Sequence, residues 1–293
     1  MLNILYEDEA VLVVWKPVGM ESQSGRGFDA DMVSEIRRYL STKKPVDNHN
    51  LSTKAVEPYV GVIHRLDKPV SGVMVYAKTK NAAAVLSKQV AEGKIHKKYL
   101  AVLCGKPVDN VEKYVDYLLK DERENTSRIV DMGIKGGKRA ELICRAIESK
   151  TVEPYGELTL AEMELLTGRH HQIRVQMSGH GLPLWGDRRY NPAFQQGDQA
   201  AKAADSADTA DRPAGGFGRR RALSSRRSAA RAGTDGVTAC GGASSARRPL
   251  RADVALAAYE LTFTHPVTGE TMTFRQNPSG GIFRQFALEQ NHV

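Results

Sequence analysis

Short runs of apolar residues, broken by turn-forming clusters, cover most of this chain. Residues 3–6 and 10–15 read as two strands joined by the acidic turn Glu7-Asp8-Glu9, and Lys16-Pro17-Val18-Gly19 ends the second. The period then changes: within 31–40, Met32, Val33, Ile36, Tyr39 and Leu40 fall on one helical face. Residues 41–59 are polar with two prolines and are predicted to be a loop. The β-formers of 72–77 predict a strand, 81–91 a helix and 99–103 a strand, while 141–147 and 157–165 alternate as half-buried strands do. A short helix is predicted over 170–178, with Ile173 and Met177 four apart. Residues 259–264 and 271–275 form a hairpin around His265-Pro266-Val267-Thr268-Gly269, and 282–288 a closing helix.

Strands outnumber helices and do not alternate strictly with them. That predicts the α+β class, with a mixed, mostly antiparallel sheet flanked by helices and loops. The pattern is lost over 195–251, where Ala, Gly, Ser, Arg and Asp dominate, and returns at Val254. Such a composition buries too little apolar surface to offset its ordering entropy, so disorder is predicted. One discontinuous domain, 1–194 plus 252–293, is therefore expected around this insertion. The insertion itself reads as a solvated loop, an RNA-binding arm or a local shift of reading frame.

The formal net charge of +8 changes little once it is localised. Ten arginines and one aspartate between Arg212 and Arg251 contribute +9, which leaves the rest of the chain at −1. Charge therefore says little about the folded body. A content of 41% hydrophobic residues suffices for a core, and no apolar run approaches the roughly 20 residues of a membrane span. No basic-then-apolar leader opens the chain. Cys104, Cys144 and Cys240 have neither metal nor disulfide spacing, so reduced thiols and a cytoplasmic location are expected. With no apolar helix left over, a monomer is expected.

Three segments place polar groups beside strand material. His64-Arg65-Leu66-Asp67 lies in a loop feeding a strand, where a scaffold commonly holds catalytic groups. Alone, it reads first as a turn with surface ion pairs and second as a catalytic loop. Tyr99 follows Lys97 and Lys98 at the head of a strand, and alone reads as a core aromatic ahead of a catalytic one. Thr167-Gly168-Arg169 turns into a helix in which Arg174 adjoins Ile173; such an arginine snorkels or pairs with a buried carboxylate. A kinase assignment fails, because neither the H-R-D-L-x-x-x-N order nor D-F-G is present. His170, His171 and His180 lack the Cys or Glu that would complete a zinc set.

Taken in order, 64–67, Lys97 with Tyr99, 167–174, Gly181 with Pro183, and Gly186-Asp187 resemble the RluA-type family of pseudouridine synthases, as do the opening 4–20 and the late 259–270. The resemblance covers most of 1–190 and 254–293. It implies a single catalytic domain around a mixed sheet with a central cleft. Many members add an N-terminal S4 domain; this chain opens on the first catalytic strand, so none is expected. It further implies isomerisation of uridines in ribosomal or transfer RNA, with RNA as the partner and no cofactor or metal. Carried over by position, Asp67 is the catalytic carboxylate, Tyr99 packs on the target base, Arg174 pairs with Asp67, and Arg65 holds the flipped nucleotide or fills its place. Leu66 and Ile173 would wall the pocket. Pro69, Val70, His170 and Gln176 depart from the usual family residues, which bears on substrate contacts. The rival expectation is a non-catalytic RNA-binding protein acting through the Arg-rich segment.

Overall fold

The apolar run after Ser71-Gly72 is buried along its whole length, and the molecule is organised about it. The structure, a computed structural model, describes residues 2–24, 30–43, 57–195 and 252–288. Among them, eleven strands form one sheet: β1 (Asn3–Glu7), β2 (Val11–Lys16), β3 (Gly61–Val62), β4 (Ser71–Ala77), β5 (His96–Cys104), β6 (Val111–Asp121), β7 (Thr126–Val130), β8 (Lys138–Val152), β9 (Gly156–Leu165), β10 (Leu256–Thr264) and β11 (Thr271–Arg275). The helices are α1 (Met32–Thr42), α2 (Lys80–Ala91) and α3 (Gln172–Gly179), with a 3-10 turn over Gly281–Gln285.

The strand order is β1-β2-β4-β10-β5-β9-β8-β6-β7, with β3 beside β4 and β11 beside β10. Every pairing is antiparallel except β4 with β10, where Ser71 lies opposite Ala257 and Gly72 opposite Ala258. This is the expected α+β sheet, and the parallel seam joins its two halves. Gly72 makes the seam possible: at φ +144°, a Cβ there would lie 2.5 Å from the Ala258 carbonyl oxygen.

Helices cover both faces of the first half. Met32, Ile36 and Leu40 of α1 pack with Leu12, Val14, Met74 and Tyr76, while Ala82 and Leu86 of α2 pack with Val11, Val13, Val73 and Val75 on the other side. Burial on both faces explains why β2 and β4 read as continuous apolar runs rather than alternations. Each large side chain so buried is worth roughly 1.5–3 kcal/mol. The Asp31 carboxylate caps α1 by accepting from the Ser34 N–H at 2.7 Å.

Two differences from the sequence reading have clear causes. The β6–β7 hairpin is absent from that reading, because only Tyr114 and Leu118 are buried along β6, four residues apart, and Glu112, Lys113, Asp116, Lys120 and Asp121 interrupt any apolar alternation along it. The predicted helix 282–288 is only the 3-10 turn Gly281–Gln285; the buried Phe283 and Phe286 are three apart, which suits that tighter winding. Residues 44–56 of the predicted loop, and 196–251 of the insertion, lie outside the described residues. No helix among the described residues is long and apolar enough to cross a membrane.

Candidate active site

The loop between β3 and β4 is clamped before it reaches Asp67. His64 is buried, and its Nε2 accepts the Val75 N–H at 3.3 Å, which pins the loop to β4. Burial, reinforced by the charge of Lys97, holds this imidazole well below its ordinary pKa, so it is a neutral acceptor. The Ser22 hydroxyl accepts the Leu66 N–H at 3.0 Å and donates to the Leu66 carbonyl at 2.9 Å. Lys16, at the end of β2, is fully buried and donates to the carbonyls of Met20, Pro17 and Lys68 at 2.6, 3.0 and 3.2 Å. Burial pushes its ammonium down to about 8, against the pull of the Asp67 and Glu21 carboxylates.

Neither Lys16 nor Ser22 stands out in the sequence. Lys16-Pro17-Val18-Gly19 reads only as a strand ending, although a lysine closing an apolar strand is the available signal. Lys16→Met leaves three carbonyls without their donor and is expected to cost about 2–4 kcal/mol, read as a lowered urea midpoint. An unchanged midpoint would show that the clamp is dispensable.

Opposite this loop stands α3, whose residues from Gln172 to Met177 are all buried. Arg174 is therefore an arginine inside the protein. Its Nε donates to Asp187 Oδ2 at 2.7 Å and its Nη2 to Asp187 Oδ1 at 2.8 Å, a two-pronged pair, while Nη1 donates to Asp67 Oδ2 at 3.3 Å. Burial opposes the guanidinium charge, but Asp187, and after it Asp67, hold the pKa above its ordinary value. The Tyr190 ring lies 5.2 Å from Arg174 Cζ.

Asp187 enters the sequence pattern only as half of a Gly-Asp pair, yet it is the closer partner of Arg174. Its side chain has no exposure, and Oδ1 also accepts the N–H groups of Arg189 and Tyr190 at 3.0 and 3.2 Å. Gly186 makes the approach possible: at φ +74°, a Cβ there would lie 2.0 Å from the Asp253 carbonyl oxygen.

Between the clamped loop and α3 runs a cleft of about 1560 Å³. Asp67, Tyr99, Leu66, Ile173, Arg174 and Arg65 all line it, so the six residues to which the resemblance gives a place in the site reach one cleft. The Asp67 side chain is 32% exposed, Arg65 is exposed, and Leu66, Ile173 and Tyr99 are buried walls. Tyr99 sits on β5 between β9 and β10, and burial together with the Asp67 charge raises its pKa, so the phenol stays neutral. Lys97, Lys120, Arg169 and Arg189 add positive charge to the lining, although the folded body as a whole is close to neutral.

The three histidines do not converge. His170 and His171 stack with centroids 3.7 Å apart, whereas His180 pairs with Asp116 at 3.0 Å. His171, which the sequence reading takes up as a zinc candidate and as an unassigned member of the 167–174 motif, has its Nε2 3.5 Å from Asp67 Oδ2.

This arrangement can hold an anionic carboxylate at the wall of a half-apolar, basic-rimmed cleft large enough for a nucleotide. A family profile described as RNA pseudouridylate synthase matches residues 10–179. Ribosomal large subunit pseudouridine synthase D of Zymomonas mobilis is 34% identical over 190 residues, covering 64% of this chain and 56% of that protein. The enzyme of the same name from Neisseria meningitidis serogroup B is 30% identical over 292 residues, covering 98% of this chain and 61% of its own length. The chain thus spans somewhat over half the length of these relatives. Among solved structures, human RNA pseudouridylate synthase domain containing 1 shares the fold, with a TM-score of 0.62 at 19% identity over 98% of this chain and 87% of that one.

Proposed function

The chain belongs to the RNA pseudouridylate synthase family, and from that premise we propose that it converts specific uridines of RNA to pseudouridine, with Asp67 as the catalytic carboxylate. The names of the relatives point to large-subunit ribosomal RNA as the substrate class. The observation that carries the reading is the convergence of Asp67, Tyr99 and Arg174, from three distant segments, on one cleft.

The reaction breaks the N1–C1′ bond of uridine, turns the uracil, and joins C5 to C1′. The proton on C5 is lost and N1 gains one, so there is no net redox change. An ionised carboxylate serves the glycosidic cleavage as nucleophile or base. Arg174 offsets the cost of keeping that charge in a cleft, and an arginine retains its own charge where a lysine often would not. A stacked base is out of reach, so the uridine must leave its stack and enter the cleft. The neutral Tyr99 ring offers a face for it, Leu66 and Ile173 form apolar walls, and Arg65 at the rim suits the phosphate or the space left in the RNA. The protein acts as a monomer in the cytoplasm, without a cofactor.

Pseudouridine mapping of total RNA from cells with and without this gene tests the reading. Loss of one or a few pseudouridines, foremost in large-subunit ribosomal RNA, is expected. An identical map in both strains would remove the proposal.

A further inference from the structure

We infer that His171 is a positioning residue: its Nε2–H holds Asp67 Oδ2 beside Arg174 Nη1, the Tyr190 hydroxyl fixes its tautomer, and Asp67 Oδ1 is left as the oxygen that faces the nucleoside. The inference rests on Asp67 being the catalytic carboxylate.

Geometry supplies the chain of contacts. The Tyr190 oxygen accepts the Ser127 N–H at 2.8 Å and lies 2.7 Å from His171 Nδ1. That oxygen accepts from the backbone, and among the described residues Nδ1 is the acceptor at hand for the phenolic proton, so the proton is assigned to this contact and Nδ1 is taken as bare. Burial raises the Tyr190 pKa, so this proton is present. A neutral imidazole that accepts at Nδ1 carries its proton on Nε2. Nε2 lies 3.5 Å from Asp67 Oδ2, the same oxygen that takes Arg174 Nη1 at 3.3 Å. Among the described residues, no hydrogen bond engages Oδ1. The Arg174 hydrogen bond and the imidazole edge beside it both bear on Oδ2, which restricts the rotation of the carboxylate and leaves Oδ1 to the cleft.

The surroundings keep the ring neutral. It faces Asp67 from the β3–β4 loop, Arg174 from α3, Lys120 from β6, and Tyr190 and Arg189 from the segment after α3, and it stacks on His170, whose Nδ1 bonds Ser127 Oγ at 2.9 Å. Burial, then the charges of Arg174, His170, Arg189 and Lys120, push its pKa down to about 2. A permanently neutral donor orients an anion without exchanging protons with it, which is what a reacting carboxylate requires of its support.

The backbone is committed to the same end. His171 has φ +53°, one of two non-glycine residues in the left-handed region among the described residues. It stands at the N-cap of α3 yet makes no capping bond with its side chain. Thr167 and Gln172 organise that turn instead, through Gln172 Oε1, which accepts from the Thr167 hydroxyl at 2.8 Å and the Arg169 N–H at 2.9 Å. Left-handed strain at a residue whose ring is aimed at a reactive group is what a site maintains for function.

The test combines a proton measurement with kinetics. In ¹⁵N-histidine-labelled protein, the His171 ring is expected to appear as the neutral Nε2–H tautomer throughout about pH 5 to 8. His171→Asn, which suits a left-handed residue but is too short to reach Asp67, should lower kcat about ten- to a hundredfold with KM within about twofold. His171→Gln, which tolerates that backbone less well but can present an N–H at similar reach, should recover most of the loss. A merely structural role predicts the opposite order. Tyr190→Phe keeps the ring under Arg174 and should both lower kcat and populate the Nδ1–H form. A wild-type ring that is Nδ1–H or doubly protonated, or an Asn variant with wild-type kcat, overturns the inference. A wild-type protein without isomerase activity would instead defeat the proposed function, and the ring measurement would still decide where the His171 proton sits.

Discussion

Asp67→Asn abolishes isomerisation and leaves RNA affinity close to that of the unaltered protein. The amide has nearly the shape of the carboxylate and can still accept from Arg174 Nη1, but it is neither a nucleophile nor a base. A fall of at least about 10⁴-fold in the single-turnover rate is expected, the scale on which removal of a reacting group acts. Binding should change by less than about threefold, because one charge at a cleft wall contributes little against the many phosphate contacts of an RNA complex. The fold should survive: Asp67 is partly exposed, and Arg174 retains both bonds to the fully buried Asp187. Single-turnover conversion of a transcript containing the target uridine, with filter binding on the same preparation, separates the two quantities. Conversion at an undiminished rate by the Asn variant would show that another group does the chemistry. A protein that only bound RNA through its Arg-rich segment would show no difference in either assay.

The sequence is informative where burial is two-sided and local. β2, β4, β5 and the faces of α1 and α2 stand out because continuous or periodic apolar residues have one physical reading. The β6–β7 hairpin does not, since one face is solvated and its partner strand is recognised only through long-range pairing with β8. The parallel seam is equally hidden: it joins residues 71–72 to 257–258, and Gly72 is its only local trace. The site divides in the same way. Asp67, Tyr99 and Arg174 stand in motif-like surroundings and meet in one cleft. The groups that hold them in place are not visible, because Lys16 clamping residue 68, Asp187 gripping Arg174 and Tyr190 bonding His171 are contacts between segments, and spacing along a chain carries no information about those.

The Arg174–Asp187 pair shows how support and chemistry separate at this site. Arg174→Met removes a guanidinium that satisfies a carboxylate with no solvent exposure, leaving a charge deep in the protein with only backbone N–H groups against it. Breaking a buried pair in this way costs about 3–5 kcal/mol, far more than an exposed ion pair, so a large drop in the urea midpoint is expected along with loss of activity. Loss of activity in this single variant is ambiguous, because an unfolded enzyme is also inactive. The double variant Arg174→Met/Asp187→Asn resolves it. Asparagine is uncharged, and its Oδ1 still accepts from Arg189 and Tyr190, so most of the lost stability should return. Activity should not return, because Asp67 Oδ2 still lacks its guanidinium. A double variant that is stable and inactive therefore assigns Arg174 two roles, one toward Asp187 in the fold and one toward Asp67 in the reaction. Recovery of kcat together with stability would reduce the arginine to a structural counter-ion and leave the orientation of the Asp67 carboxylate to His171 alone.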